Sequence, residues 1–235
     1  MHYTGPVIRP PHEANSILLE VTVGCTHNSC RFCTFYYDTP YRIAPKRQVE
    51  HDLQEAQRVN PNAKRIYAVG GDPFTLRTAK LVDLARMIRR YFPTINIGMY
   101  ARVDSMFNKD VDDLKQLKAE GINDLVIGIE SGDDDVLAQM DKGYTSADIL
   151  RECQKLEQAG IAYRVIFLGG LAFFGHVAIS SSACAKVASC DFSDYGYSQS
   201  NRDKTAWRNG QRFCSAQCCW WDAALNLCIT TSTGS

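Results

Sequence analysis

Ile17-Leu18-Leu19-Glu20-Val21-Thr22-Val23-Gly24-Cys25-Thr26-His27-Asn28-Ser29-Cys30-Arg31-Phe32-Cys33 joins a short, β-branched apolar run to a glycine and three cysteines within nine residues. The run reads as a buried strand: it is brief, and its residues suit a pleated surface. Residues 65–69, 95–101, 125–129 and 163–168 repeat its texture. Helical patterns lie between them. Val49, Leu53 and Ala56 share a face after Pro45. Leu81, Leu84, Ala85 and Ile88 share another, which stops before Pro93. Val111, Leu114 and Leu117 make a third, and Ile149, Leu150, Cys153 and Leu156 a fourth behind the candidate N-cap Thr145. Gly121 and Gly160 close the last two, each followed by isoleucine and a new strand. Alternating strands and helices imply parallel strands joined by right-handed crossovers. The expected fold class is α/β, a partial (β/α)6-type, TIM-like barrel with five βα repeats over residues 1–170.

The pattern stops after Gly170. Residues 171–235 contain no glutamate, proline or methionine and three leucines, but six of the ten cysteines, all three tryptophans and ten serines. Residues 176–189 read as a poor helix and 191–198 as a poor strand. This segment is expected to be an atypical Ser/Cys-rich tail, a degraded or truncated end of the barrel that packs poorly. Trp207, Trp220 and Trp221 are its one apolar counterweight, able to dock over the open side of the sheet.

The whole chain of 235 residues can bury one good core. Its 26 basic and 26 acidic side chains cancel, so no global field favours nucleic acid or an anionic membrane. Residues 1–15 carry charge, two histidines and three prolines without an apolar run, so no signal peptide is expected. Residues 165–179 are too short and too interrupted to span a bilayer. A cytoplasmic location with no membrane partner follows as the expectation, and there cysteines read as ligands or core filler before disulfides.

In parallel β/α folds, functional groups gather at the carboxyl ends of the strands. Here those ends carry Gly24 and the cysteines, then Gly70-Gly71-Asp72-Pro73, then Tyr100, Arg102 and Asp104, then Gly128-Ile129-Glu130-Ser131-Gly132, and last Gly169-Gly170. Cys25, Cys30 and Cys33 can hold an iron–sulfur cluster with one iron free of thiolate. The alternative is structural zinc, with His27 completing a Cys3His set. Cys153 lies on an apolar helix face and reads as core. The terminal cysteines match no ferredoxin spacing, so no second cluster is expected. Asp133-Asp134-Asp135 reads as a solvated helix start, and His12 and His51 as surface or linker residues.

Cys25-x4-Cys30-Arg31-Phe32-Cys33 after a first strand resembles the cluster loop of the radical S-adenosylmethionine (radical SAM) superfamily. The usual first gap is three residues; here it is four. Gly70-Gly71-Asp72-Pro73 resembles the superfamily's Gly-Gly-Glu segment, whose backbone receives the methionyl amino group, with Asp72 where glutamate is commoner. Glu130-Ser131-Gly132 resembles the segment that contacts the ribose. Residues 9–14, 24–28 and 130–134 are similar to a bacterial branch near the elongator-acetyltransferase-like, methylthiotransferase and coproporphyrinogen-oxidase-like cores. The resemblance covers about residues 9–170. It implies a [4Fe–4S] cluster on Cys25, Cys30 and Cys33, with S-adenosylmethionine held by Phe32, Gly70, Gly71, Asp72, Glu130 and Ser131. It also implies reductive cleavage to a 5′-deoxyadenosyl radical that abstracts hydrogen from a small or macromolecular substrate, with an electron donor such as flavodoxin or ferredoxin. If the tail is unnatural, a cluster-binding remnant without turnover is the third reading.

Overall fold

The computed structural model describes residues 1–168, 171, 220–222 and 227–232. Five parallel strands form the body of one sheet: β1 (Ile17–Glu20), β4 (Arg65–Val69), β5 (Asn96–Ala101), β6 (Ile122–Glu130) and β7 (Ala162–Leu168), side by side in that order. Between β1 and β4 the chain makes a separate two-stranded ribbon, β2 (Thr22–Val23) against β3 (Arg42–Ile43). The crossovers carry α1 (Lys46–Val59), α2 (Thr78–Tyr91), α3 (Val111–Ala119), α4 (Asp134–Gln139) and α5 (Ser146–Ala159).

Period-two alternation sorts each strand between two cores. Leu19, Ile66, Ala68, Ile97, Met99, Leu125, Ile127, Val165 and Phe167 pack with the apolar faces of α1, α2, α3 and α5. Leu18, Tyr67, Val69 and Val126 form a second cluster on the opposite face, with Tyr100 and Ile166 against it. That two-sided burial is what a barrel wall requires. The second face narrows to a charged floor. Glu13, from the short turn Pro11–Glu13, pairs with Arg65; Arg65 also pairs with Asp124, and Asp124 with Arg164. Gly98 makes room there, since a Cβ on it would stand 2.9 Å from Arg65 Nη2 and 3.0 Å from the Tyr67 ring.

Helix ends follow the sequence signals. The Thr145 hydroxyl accepts from the Asp148 amide, and the Asp148 carboxylate accepts in return from the Thr145 amide and hydroxyl. Gly160 ends α5 at φ +70°, a left-handed cap that glycine adopts without steric cost. Asp133 caps α4, accepting from the amides of Asp135 and Val136, so the acidic run is a helix start as expected.

Two details differ from the sequence expectation. The first apolar run is not one strand: the Val21 amide still bonds to the Val69 carbonyl, but Thr22 and Val23 pair with Ile43 and Arg42. Beyond β7 the sheet does not continue in parallel. β9 (Leu227–Ser232) lies antiparallel on β7, and β8 (Trp220–Asp222) antiparallel on β9. Trp220 and Trp221 thus enter the sheet's edge as strand residues. The expected helix at 176–189 and strand at 191–198, Gly169-Gly170 and Trp207 lie outside the described residues.

Candidate functional site

The cysteine loop sits on the end of β4 and is anchored along its length. Gly71 donates its amide to the Gly24 carbonyl at 3.0 Å. A Cβ on Gly71 would fall 2.4 Å from that carbonyl oxygen, 2.8 Å from Cys25 Cα and 2.9 Å from Cys25 Cβ. Gly70, at φ +131°, leaves no more room: a Cβ there would strike the Thr22 backbone. The double glycine is required by the backbone it touches. Further along, Asn28 takes φ +47° and donates its side-chain amide to the Tyr36 carbonyl at 2.9 Å, while the Arg31 amide bonds to the Met140 carbonyl. Cys25 and Cys30 are half-buried, and Cys33 is exposed.

Asp72 is buried and acts as a tie. Its carboxylate accepts from the Thr26 hydroxyl at 2.9 Å and the Ser105 hydroxyl at 2.7 Å, with the Arg102 amide at 3.4 Å. Burial raises the Asp72 carboxyl above the usual range, and these hydroxyl bonds only partly offset that. The result links the cysteine loop to the end of β5. Beside it lies a cavity of about 190 Å³ lined by Thr26, His27, Asp72, Thr75, Asp104 and Ser105.

Two cations face the loop from the other side. Arg102 is buried, forks onto Asp104 at 2.9 and 3.1 Å, donates to the Lys142 carbonyl at 2.9 Å, and brings Nη1 to 3.8 Å from Cys30 Sγ. Lys142, also buried, donates to the Gly128 carbonyl at 3.1 Å and reaches Glu130 Oε1 at 3.4 Å. Its ammonium lies 5.5 Å from the Phe32 ring centre and 5.4 Å from that of Tyr144. Burial pushes the Cys30 thiol up against the pull of Lys142 and Arg102. Burial likewise raises the Glu130 carboxyl, opposed first by Lys142.

Glu130 stands at a break in register between β6 and β7, with φ +65°. Such bulges re-aim a side chain. Here the carboxylate folds back over Gly128, whose missing Cβ would sit 2.7 Å from Glu130 Oε1. Ser131 is buried, and its hydroxyl accepts from the Asp133 amide at 3.1 Å.

Phe32, Cys30, Arg102, Lys142 and Glu130 are therefore one contact network, with Asp72 and Gly71 bracing the loop from the β4 side. Tyr100 stands apart, edge-on to Tyr67 on the inner face of the sheet at 5.1 Å. Cys153 is buried in the helix-side core. His27 turns its Nε2 to the Asp141 carbonyl and the Ser29 hydroxyl. Lys142, Tyr144, Thr26 and Ser105 were not singled out from the sequence. Lys142 and Tyr144 lie in the turn between α4 and α5, and no spacing marked them. In its chemistry the donor set suits a cluster needing three thiolates. The thiols share one braced loop, cations offset their charge, and the nearby imidazole nitrogen is spent on a backbone carbonyl.

Comparisons with known proteins agree with this fold. The chain matches three curated proteins named heme chaperone HemW. It is 26% identical over 145 residues to the one from Bacillus subtilis (strain 168), covering 58% of this chain and 37% of that protein. It is 22% identical over 151 residues to the one from Buchnera aphidicola subsp. Schizaphis graminum, covering 60% and 39%. The chain thus spans under two-fifths of the length of these relatives. Among solved structures, the cobalamin-dependent S-adenosylmethionine radical enzyme OxsB, with aqua-cobalamin and S-adenosylmethionine bound, aligns at TM-score 0.60 and 19% identity, over 72% of this chain and 26% of that one. Methylornithine synthase (PylB) aligns at 0.56 and 14%, over 74% and 50%. Coproporphyrinogen III oxidase (HemN) from Escherichia coli, a radical SAM enzyme, aligns at 0.53 and 17%, over 73% and 41%. Residues 19–173 match the family model of the radical SAM superfamily, two-thirds of the chain, and the chain belongs to that superfamily.

Proposed function

We propose that the chain is a radical SAM enzyme that holds a [4Fe–4S] cluster on Cys25, Cys30 and Cys33 and S-adenosylmethionine against Phe32, Gly70, Gly71, Asp72, Glu130 and Ser131. Held on Cys25, Cys30 and Cys33, the cluster would pass one electron from an external donor to S-adenosylmethionine, so that its S–C5′ bond would break to leave methionine and a 5′-deoxyadenosyl group able to take a hydrogen atom from the substrate. The observation that carries the reading is the contact network that sets the buried Arg102 and Lys142 around Cys30 beside Glu130, whose side chain is 13% exposed.

The chain's own residues have distinct tasks in this reading. Gly71 and Asp72 brace the loop that carries the three thiols, through the Gly24 carbonyl and the Thr26 hydroxyl. Arg102 and Lys142 counter the negative charge of the thiolates. Glu130, held by Lys142, accepts hydroxyl donors of the ribose, and a buried carboxylate discriminates strongly for them. Phe32 offers an apolar face to adenine. Residues 1–170 constitute the catalytic core in this reading, with β9 and β8 added antiparallel beyond its last parallel strand. The substrate, small or macromolecular, enters at the mouth, and a flavodoxin- or ferredoxin-type donor delivers the electron. Among the described residues no helix is long and apolar enough to cross a membrane.

The relatives named heme chaperones favour a second reading, in which the chain loads a cluster but carries heme instead of turning over a substrate. Reduction with dithionite under anaerobic conditions separates the two. The enzyme reading expects slow release of 5′-deoxyadenosine without substrate, and Glu130→Ala should weaken S-adenosylmethionine binding while iron and sulfide stay unchanged. A fully loaded cluster that releases none, in a protein that binds hemin stoichiometrically, would establish the second reading.

A further inference from the structure

At α1, outside the cysteine loop, His2 of the N-terminal segment and His51, Asp52 and Glu55 of the helix bring one ligand atom each within 4.8 Å of one another. Among the described residues they are the one group of histidines, cysteines and carboxylates gathered so closely. His51 and Glu55 are four apart on α1 and share a face. His2 arrives from the N-terminal segment: its backbone amide donates to Asp52, and its Nδ1 stands 2.8 Å from Asp52 Oδ1. His51 Nδ1 lies 3.9 Å from the same oxygen, too far for a hydrogen bond. The Asp52 carboxylate is 1% exposed, whereas the imidazoles of His2 and His51 are 50% and 61% exposed. A buried carboxylate thus forms the base of a cup rimmed by two accessible imidazoles and a second carboxylate.

The ion pair of Asp52 with His2 does not use the His51 nitrogen, which faces the same oxygen beyond hydrogen-bond reach while its ring lies edge-on to that of His2 at 5.3 Å. Ligand atoms around a tetrahedral zinc with bonds of about 2.0 Å stand about 3.3 Å apart. The separations of 2.8 and 3.9 Å bracket that edge. Two imidazoles and two carboxylates, without a thiolate, suit the later first-row divalent cations and zinc.

We propose that His2, His51, Asp52 and Glu55 form a zinc-type divalent-cation site that clamps the N-terminal segment to α1. The amino group of Met1 meets the same carboxylates, so a plain ion-pair network is the alternative to be separated.

The test uses the full chain, loaded anaerobically with iron and sulfide, then given Zn²⁺ and desalted. One zinc should remain, with an X-ray absorption spectrum showing a nitrogen and oxygen shell with imidazole scattering and no sulfur at about 2.3 Å. His51→Ala, at an exposed side chain, and Glu55→Gln, at a half-buried one, should each weaken zinc binding by about 10–100-fold or more, since even an outer partner of a ligand carries that much. Their iron content should be unchanged. Zinc should raise the melting temperature of the parent and not of the variants. Zinc in a sulfur shell would place it on the cysteine loop and overturn the proposal. So would equal affinity in the variants, or no retained zinc, which would leave an ion-pair network alone.

Discussion

Replacing Gly71 with alanine tests whether the double glycine serves the loop's packing or only a ligand's approach. The new Cβ would meet the Gly24 oxygen at 2.4 Å and the Cα and Cβ of Cys25 at 2.8 and 2.9 Å. None of these atoms is the loose end of a side chain, and the Gly71 amide is pinned to the same Gly24 carbonyl. Ordinary carbon contacts begin near 3.4 Å, so strand end and loop must part by about 1 Å. Overpacking of this kind costs about 1–3 kcal/mol. For a domain of this size each kcal/mol lowers the melting temperature by about 2–4 °C. The thiol of Cys25 moves with its Cβ, and ligand geometry tolerates only about 0.5 Å. Gly71→Ala should therefore keep native far-ultraviolet circular dichroism, melt earlier, and bind substoichiometric iron and sulfide after anaerobic reconstitution. Gly128→Ala is the control, because its Cβ meets only Glu130 Oε1, the end of a flexible chain; its iron content should be normal. A Gly71→Ala protein with parental iron content and melting temperature would refute the packing argument and leave ligand approach as the reason for glycine.

Cys25→Ala, Cys30→Ala and Cys33→Ala should each abolish iron and sulfide binding, while Cys153→Ala and His27→Ala retain it; loss in His27→Ala as complete as in the cysteine variants would mean a four-ligand site. Lys142→Met strands the buried Glu130 carboxylate and should cost about 3–5 kcal/mol in urea unfolding; an unchanged midpoint would show that the ion pair in the mouth contributes nothing. Although burial raises the Glu13 carboxyl, hydrogen bonds from His12, Arg65 and Ser16 outweigh it and hold the group at about 2, against 4.5 unfolded. With the folded value depressed, its stabilisation is complete above about pH 4.5 and fades as pH falls toward 2; Glu13→Gln should flatten that limb of the stability profile, and parallel profiles would remove Glu13 from the account.

The fold was legible because its two periodicities are clean. Residues 65–69 are a strand with the predicted bounds, and the faces named from 3.6-residue spacing are the buried ones: Val49, Leu53 and Ala56 on α1, and Leu81, Leu84, Ala85 and Ile88 on α2. Thr145 and Gly160 carried local cap chemistry that needs no tertiary context. The inner face was harder to read. Arg65, Asp124 and Arg164 sit at strand starts like solvated ends, but they join in one half-buried ion-pair chain, which Glu13 completes from a turn more than fifty residues before Arg65. Thr22 and Val23 look like a continuation of β1. Their partners Ile43 and Arg42 have no strand pattern of their own, so the ribbon is invisible to periodicity.

The mouth was half legible for a related reason. Glycines and cysteines at strand ends announce themselves, but what braces them comes from elsewhere in the chain. Arg102 reads equally well as a surface residue until its guanidinium is placed between Asp104, the Lys142 carbonyl and Cys30. Asp72 reads as a shortened glutamate. Its one-carbon-shorter side chain instead lies between Thr26 and Ser105, tying the cysteine loop to the end of β5. These ties also bound the four-residue first gap. The loop is fixed at Gly24 by Gly71, at Thr26 by Asp72 and at Arg31 by Met140. Between those points the chain turns at Asn28, which takes the left-handed conformation that asparagine tolerates better than most residues. With both flanks held by the sheet's end and the turn between α4 and α5, the position of the cysteines depends on the bracing residues more than on the count between Cys25 and Cys30. Cys25 lies between the first two of those ties and Cys30 immediately before the third, so loss of any one of them should loosen a cysteine without changing the spacing.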